Sequence, residues 1–119
     1  MPVLSGGSKF VTHATSLTTT SDTDCYVVPN NFSSHVENLM IANDNSGNIT
    51  YTLKYYEAAT TTTHTLFSAH AVAGKSAENI FTVDKPLYIH AGDKIIIAAG
   101  TANELTVVVA AEEFFDPNA

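Results

Sequence analysis

The chain has 119 residues, enough for one domain that buries roughly 65% of its unfolded surface and folds without staples, and its single cysteine excludes an intrachain disulfide. It is 45% hydrophobic but only 14% charged, with a formal net charge of −7. All five basic residues are lysines (Lys9, Lys54, Lys75, Lys85 and Lys94), and an acidic chain without arginine lacks the basic stripe that nucleic acid requires.

Met1 to Phe10 has neither the basic start nor the continuous apolar core of a signal peptide, and no window approaches the roughly 18 apolar residues of a membrane helix. The expected setting is therefore a reducing cytosol or release by lysis, with no membrane partner. On that reading the sequons Asn31-Phe32-Ser33 and Asn48-Ile49-Thr50 occur by chance. Met1 to Lys9, jointed by Ser5-Gly6-Gly7-Ser8, reads as a flexible arm; residues 10–115 read as the domain and residues 116–119 as a tail.

Phe10 to Leu17 alternates loosely and suits an edge strand, followed by a polar loop from Thr18 to Asp24. Cys25-Tyr26-Val27-Val28 is a short strand stopped by Pro29. In Phe32 to Ala42, Leu39 and Ile41 alternate while Val36 is one place out of phase, which predicts a bulge near Glu37-Asn38. Asn43-Asp44-Asn45-Ser46-Gly47-Asn48 has the composition of a hairpin loop. Its acids and amides do not fit a calcium loop, because no acid occupies the first ligand position and Leu53 would stand at the twelfth.

Ile49, Tyr51, Leu53 and Tyr55 alternate with Thr50, Thr52, Lys54 and Tyr56, the clearest two-residue period in the chain. The Thr-rich stretch Ala58 to Thr63 reads as a loop in preference to a solvent-exposed β-edge, Thr65 to Val72 as a strand or irregular segment, and Ile80 to Val83 as a short strand. In Pro86 to Ile97, Leu87 and Ile89 alternate with Tyr88 and His90, Ala91-Gly92-Asp93 makes a tight turn, and Ile95, Ile96 and Ile97 resume a β-branched run. That run, and Leu105 to Ala111, are apolar at nearly every position and call for cover on both faces, from a second sheet and from a neighbouring subunit. The end of the chain sets Phe114 and Phe115 among acids. No helical period longer than two turns is present. The expected fold is all-β: a single-domain antiparallel β-sandwich, jelly-roll or Ig-like, of about eight strands.

Chemistry-bearing residues are sparse. His13, His35, His64, His70 and His90 form no close ligand pair in sequence; His64 and His70 would stand roughly 20 Å apart on an extended strand, so no metal is expected. Cys25 reads as a small buried hydrophobe, and the pairs Asp22 with Asp24 and Glu112 with Glu113 as solvated charge. There is no nucleophile elbow and no phosphate loop, so neither an enzyme nor a cofactor is expected.

Taken in order, Val28-Pro29, Leu39-Met40-Ile41-Ala42-Asn43, Ile49-Thr50-Tyr51-Thr52-Leu53-Lys54, Lys85 to Ile95 and Leu105-Thr106-Val107-Val108-Val109 resemble the small β-sandwich virion proteins of tailed bacteriophages, cyanophages in particular, from about Thr12 to Glu113. The resemblance implies a capsid decoration or cement subunit that oligomerises and docks on the major capsid protein or another virion protein, with the virion as its location. Tail, neck or baseplate accessory proteins are the alternative within that group. A glycan-binding module, with Tyr55, Tyr56, Tyr88 or Phe81 as a stacking platform, is the alternative from another class. Val3, Leu4, Phe10, Ile96, Val108, Phe114 and Phe115 are the expected protein-interface residues.

Overall fold

The computed structural model describes residues 7–117; the interface candidates Val3 and Leu4 lie outside them. Nine strands form two antiparallel sheets: β1 (Ser8–Leu17), β2 (Thr23–Val27), β3 (Phe32–Asn43), β4 (Ile49–Glu57), β5 (Thr62–Val72), β6 (Ser76–Phe81), β7 (Leu87–Ile89), β8 (Lys94–Ala99) and β9 (Leu105–Phe115). The five-stranded sheet runs β1-β9-β3-β6, with β7 pairing the other half of the same edge of β3; the four-stranded sheet runs β2-β8-β4-β5. This is the strand order of a jelly roll in which β6 and β7 share one position, rather than that of an Ig-like domain. Among the described residues no helix is long and apolar enough to cross a membrane.

The core lies between the sheets. Leu39 and Ile41 of β3, Leu53 of β4, Ile95 and Ile97 of β8, and Val107 and Val109 of β9 are buried almost completely, each two residues from the next inward position on its strand. Strands of ten to twelve residues (β1, β3, β5, β9) give the molecule its long axis, with extents of 51 × 26 × 25 Å.

Two loops carry the chain from one sheet to the other, and the first of them was expected to close a hairpin. Asn43–Asn48 does not close a hairpin: β3 and β4 lie in different sheets, so the loop arches across the core. Asn43 is buried and makes the arch possible. Its Nδ2 donates to the carbonyls of Gly47 (3.0 Å) and Val72 (2.9 Å), while its Oδ1 accepts from Asn45 N in an Asx turn. The arch is backed by the β5–β6 turn at Gly74, where a Cβ would come within 2.3 Å of the Ser46 carbonyl. Ala91-Gly92-Asp93 likewise joins the two sheets, from β7 to β8. Gly92 has φ 85°, and the buried Asp93 carboxylate accepts from His90 N (2.9 Å), Ala58 N (2.9 Å) and the Tyr55 hydroxyl (2.7 Å).

Among the described strands, β4 and β5 are the consecutive pair that bond to each other, and their hairpin uses the Thr-rich stretch: the turn is at Ala58–Thr61, and Thr62 and Thr63 already pair with Glu57 and Tyr56. The loop expected over Ala58 to Thr63 holds for Ala58–Thr61, while Thr62 and Thr63 are strand, because β-branched threonine suits an exposed edge. The predicted bulge is present: the β3–β9 register shifts between Val36 and Asn38. A second bulge, between Asp24 and Tyr26 on β2, turns Cys25 and Tyr26 inward in succession.

Phe114 and Phe115 belong to β9, the strand between β1 and β3, so they continue the sheet rather than extend beyond it. Ser8 and Lys9, expected in the arm, open β1 opposite Phe114 and Glu113.

Candidate functional site

Strand alternation sorts the side chains of the five-stranded sheet into two sets. Inward positions fill the core; outward positions build a face from Phe10, Thr12, Ala14 and Ser16 of β1, Thr106, Val108, Ala110 and Phe114 of β9, Met40 and Ala42 of β3, and Ala77 and Asn79 of β6. Val108 stands between Ala14 and Met40, and Ala42 between Thr106 and Ala77. The centre of the face is thus small, apolar and uncharged, and it is flanked by two large exposed rings, Phe10 (74% exposed) and Tyr88 of β7 (67%).

The expected interface residues divide on this basis. Phe10, Val108 and Phe114 share the face. Ile96 lies on the outside of the other sheet, opposite Asp24 and Lys54, among the ion pairs Lys54–Asp22 (2.9 Å) and Lys94–Asp24 (3.3 Å). Phe115 turns to the end of the sandwich, where it meets Phe32 edge-on (5.7 Å between centroids) and, with Gly7, Ser8, Lys9 and Glu113, lines a cavity of about 230 Å3.

Charge on the outer face gathers at one place. His35 pairs across the ladder with Glu112 of β9 on one side and with Tyr88 of β7 on the other. The imidazole stacks on the Tyr88 ring at 4.4 Å with an interplanar angle of 26°. Glu37 sits at the β3 bulge, with its Oε2 3.9 Å from His35 Nδ1. One potential ligand atom from each of His35, Glu37 and Glu112 lies within 4.8 Å of the other two, and all three residues are half-buried. Ser8 Oγ donates to Glu112 Oε2 at 2.7 Å, whereas His35 Nε2 is buried without a hydrogen-bond partner. Only the His35-x-Glu37 spacing was visible in the sequence; Glu112 arrives through strand pairing.

The remaining chemistry-bearing residues are held in structural bonds. Glu113, expected in solvent beside Glu112, is buried: it accepts from the Tyr26 hydroxyl at 2.6 Å, and Lys9 approaches to 3.9 Å. The reason is alternation, which puts neighbours on opposite faces of the sheet. Burial, and then the bond to Glu113, holds the Tyr26 hydroxyl above its ordinary range; burial with Glu78, and burial with Asp93, do the same to Tyr51 and Tyr55. Burial pushes the Cys25 thiol up to about 12, which leaves it an inert core residue. His64 meets Glu57 (3.3 Å) and His70 meets Glu78 (2.9 Å). Of the aromatic platform, Tyr55 is tied to Asp93, Tyr56 lies under Lys94 (5.3 Å), and Tyr88 and Phe81 belong to the other sheet's side, so the four do not form one surface.

No protein-family model matches the chain, and no curated protein matches it in sequence. Solved structures similar to it include a protein of Bacillus endospore appendages, a family of disulfide-linked pili (14% identity, TM-score 0.48, covering 98% of this chain and 96% of the other). Another is from the virus-like particle of the extra small virus of the giant freshwater prawn Macrobrachium rosenbergii (15%, TM-score 0.47, 98% and 82%). A third is a pentameric capsid protein isolated from metagenomic phage sequences (18%, TM-score 0.42, 92% and 63%).

Proposed function

We propose that the chain is a structural subunit of a tailed-phage particle, a capsid decoration or cement protein, that works by burying the outer face of its five-stranded sheet against other protein. Jelly rolls serve capsids and lectins alike, so the outer face carries this reading rather than the fold. The supporting observation is the uncharged centre Ala14, Val108, Ala110, Met40, Ala42 and Ala77 with Phe10 and Tyr88 beside it. Four strands at about 4.8 Å spacing and about ten residues at about 3.3 Å make a face of roughly 600 Å2, close to the roughly 800 Å2 that each partner brings to a standard interface. Removing that surface from water, at about 25 cal/mol per Å2 of apolar area, is a large enough term to drive association. The sequence resemblance supplies the class of partner: a second copy and the major capsid protein.

The test is Val108→Glu against Ile96→Glu, followed by sedimentation and by binding to phage heads. A carboxylate buried at an interface without a partner costs several kcal/mol, so Val108→Glu weakens association more than about a hundredfold. Ile96→Glu, beside Lys54 and Lys94, leaves association unchanged. A wild-type chain that stays monomeric at high concentration and ignores heads overturns the reading, and gold labelling at tails instead of heads moves the subunit to the tail.

A further inference from the structure

We propose that His35, Glu37 and Glu112 bind one divalent transition-metal cation, with zinc the best chemical fit. The site goes beyond the assembly reading and does not depend on it.

Three independent features point to a cation. Two carboxylates converge on one imidazole, with a ligand atom of each residue inside a 4.8 Å cluster, and among the described residues no lysine forms an ion pair with Glu37 or Glu112. The cluster therefore holds uncompensated negative charge on an otherwise uncharged face. His35 is also uncommitted to any other group: its Nε2 is buried without a hydrogen-bond partner, and its Nδ1, 3.9 Å from Glu37 Oε2, is the nitrogen turned toward the carboxylates. Finally, the ligands are positioned. Tyr88 stacks on the imidazole, Ser8 Oγ bonds Glu112 Oε2, and the β3 bulge presents Glu37 beside His35.

The donor set chooses the metal class. Imidazole with carboxylates suits zinc and its first-row neighbours, whereas calcium and magnesium take oxygen from more ligands than these. Tetrahedral zinc with bonds of about 2.1 Å puts its ligand atoms about 3.4 Å apart, so the 4.8 Å cluster must contract by up to about 1.4 Å, within reach of a glutamate rotamer change. Three protein ligands leave a fourth position open toward the outer surface.

The experiment uses the full chain without a histidine tag, freed of metal by a chelator and titrated with Zn2+ in competition with a chromophoric chelator. One ion per chain is expected. His35→Ala weakens binding more than about a hundredfold and Glu112→Gln by about tenfold or more, while Ser8→Ala, which only frees a ligand, weakens it by about tenfold. The double variant His64→Ala/His70→Ala binds as the wild type does. Thermal melting keeps the test decisive if a variant folds poorly: Zn2+ raises the wild-type midpoint and leaves that of Glu112→Gln almost unmoved. Absence of saturable binding, undiminished binding by His35→Ala, loss in the His64/His70 variant, or a wild-type midpoint indifferent to Zn2+ each overturns the proposal.

Discussion

The two outer faces of this sandwich are built on the same alternation and finished in opposite ways. On the four-stranded sheet, Lys54 with Asp22 and Lys94 with Asp24 close over the surface, and Lys94 also lies on the Tyr56 ring. On the five-stranded sheet, alanine, valine, methionine and threonine occupy the centre, and charge is confined to the corner of His35, Glu37 and Glu112. The first face is made for water, since exposed ion pairs contribute little stability but keep a sheet soluble. The second is left open. Ile96 and Val108 are both aliphatic residues at outward positions, and only their surroundings separate an ion-paired face from an uncharged one.

Substitutions that separate inside from outside should have the largest effect. Ile41→Ala removes a core side chain and costs about 2–5 kcal/mol in urea unfolding, while Met40→Ala, next to it on the outward side, costs under about 1 kcal/mol and acts on association instead. Equal losses at the two positions would erase the distinction between the faces.

Alkali probes the inner side of the four-stranded sheet, because Cys25, Tyr26, Tyr51 and Tyr55 all belong to β2 and β4. Each of these groups holds its proton more tightly folded than unfolded, so above the unfolded value the unfolded state binds fewer protons and stability falls with pH. For Cys25, whose thiol moves from 9.0 to about 12, the contribution is complete below pH 9 and is lost as pH rises toward 12. The slope is at most about 1.4 kcal/mol per pH unit, and Cys25→Ala should flatten the onset near pH 9 in urea melts taken at stepped pH. An unchanged onset would remove the thiol from the account.

The smallest effect belongs to the solvated face. Lys54→Ala should cost under about 1 kcal/mol, and less at high salt, with no change in association; a larger loss would mean that the pair with Asp22 does more than cover the surface.

Much of this was legible along the chain. The period of Ile49 to Tyr55, the β3 bulge and the turn at Ala91-Gly92-Asp93 follow from local stereochemistry, which the residues carry with them. What could not be read was where each turn leads. Asn43–Asn48 has the same turn chemistry whether its strands pair or part to opposite sheets; the crossing follows from long-range pairing, because β9 takes one edge of β3 and β6 with β7 take the other, leaving β4 to pair with β8 and β5. The same long-range pairing buries Glu113, leaves Glu112 outside and brings that carboxylate to His35. Composition and alternation by themselves determined that this chain makes two layers of strands with apolar insides, because side-chain direction in a strand is a local property. Which outer face stays uncharged, and which residues meet on it, only the tertiary structure decided, because strand neighbours are chosen by contacts between residues far apart in sequence.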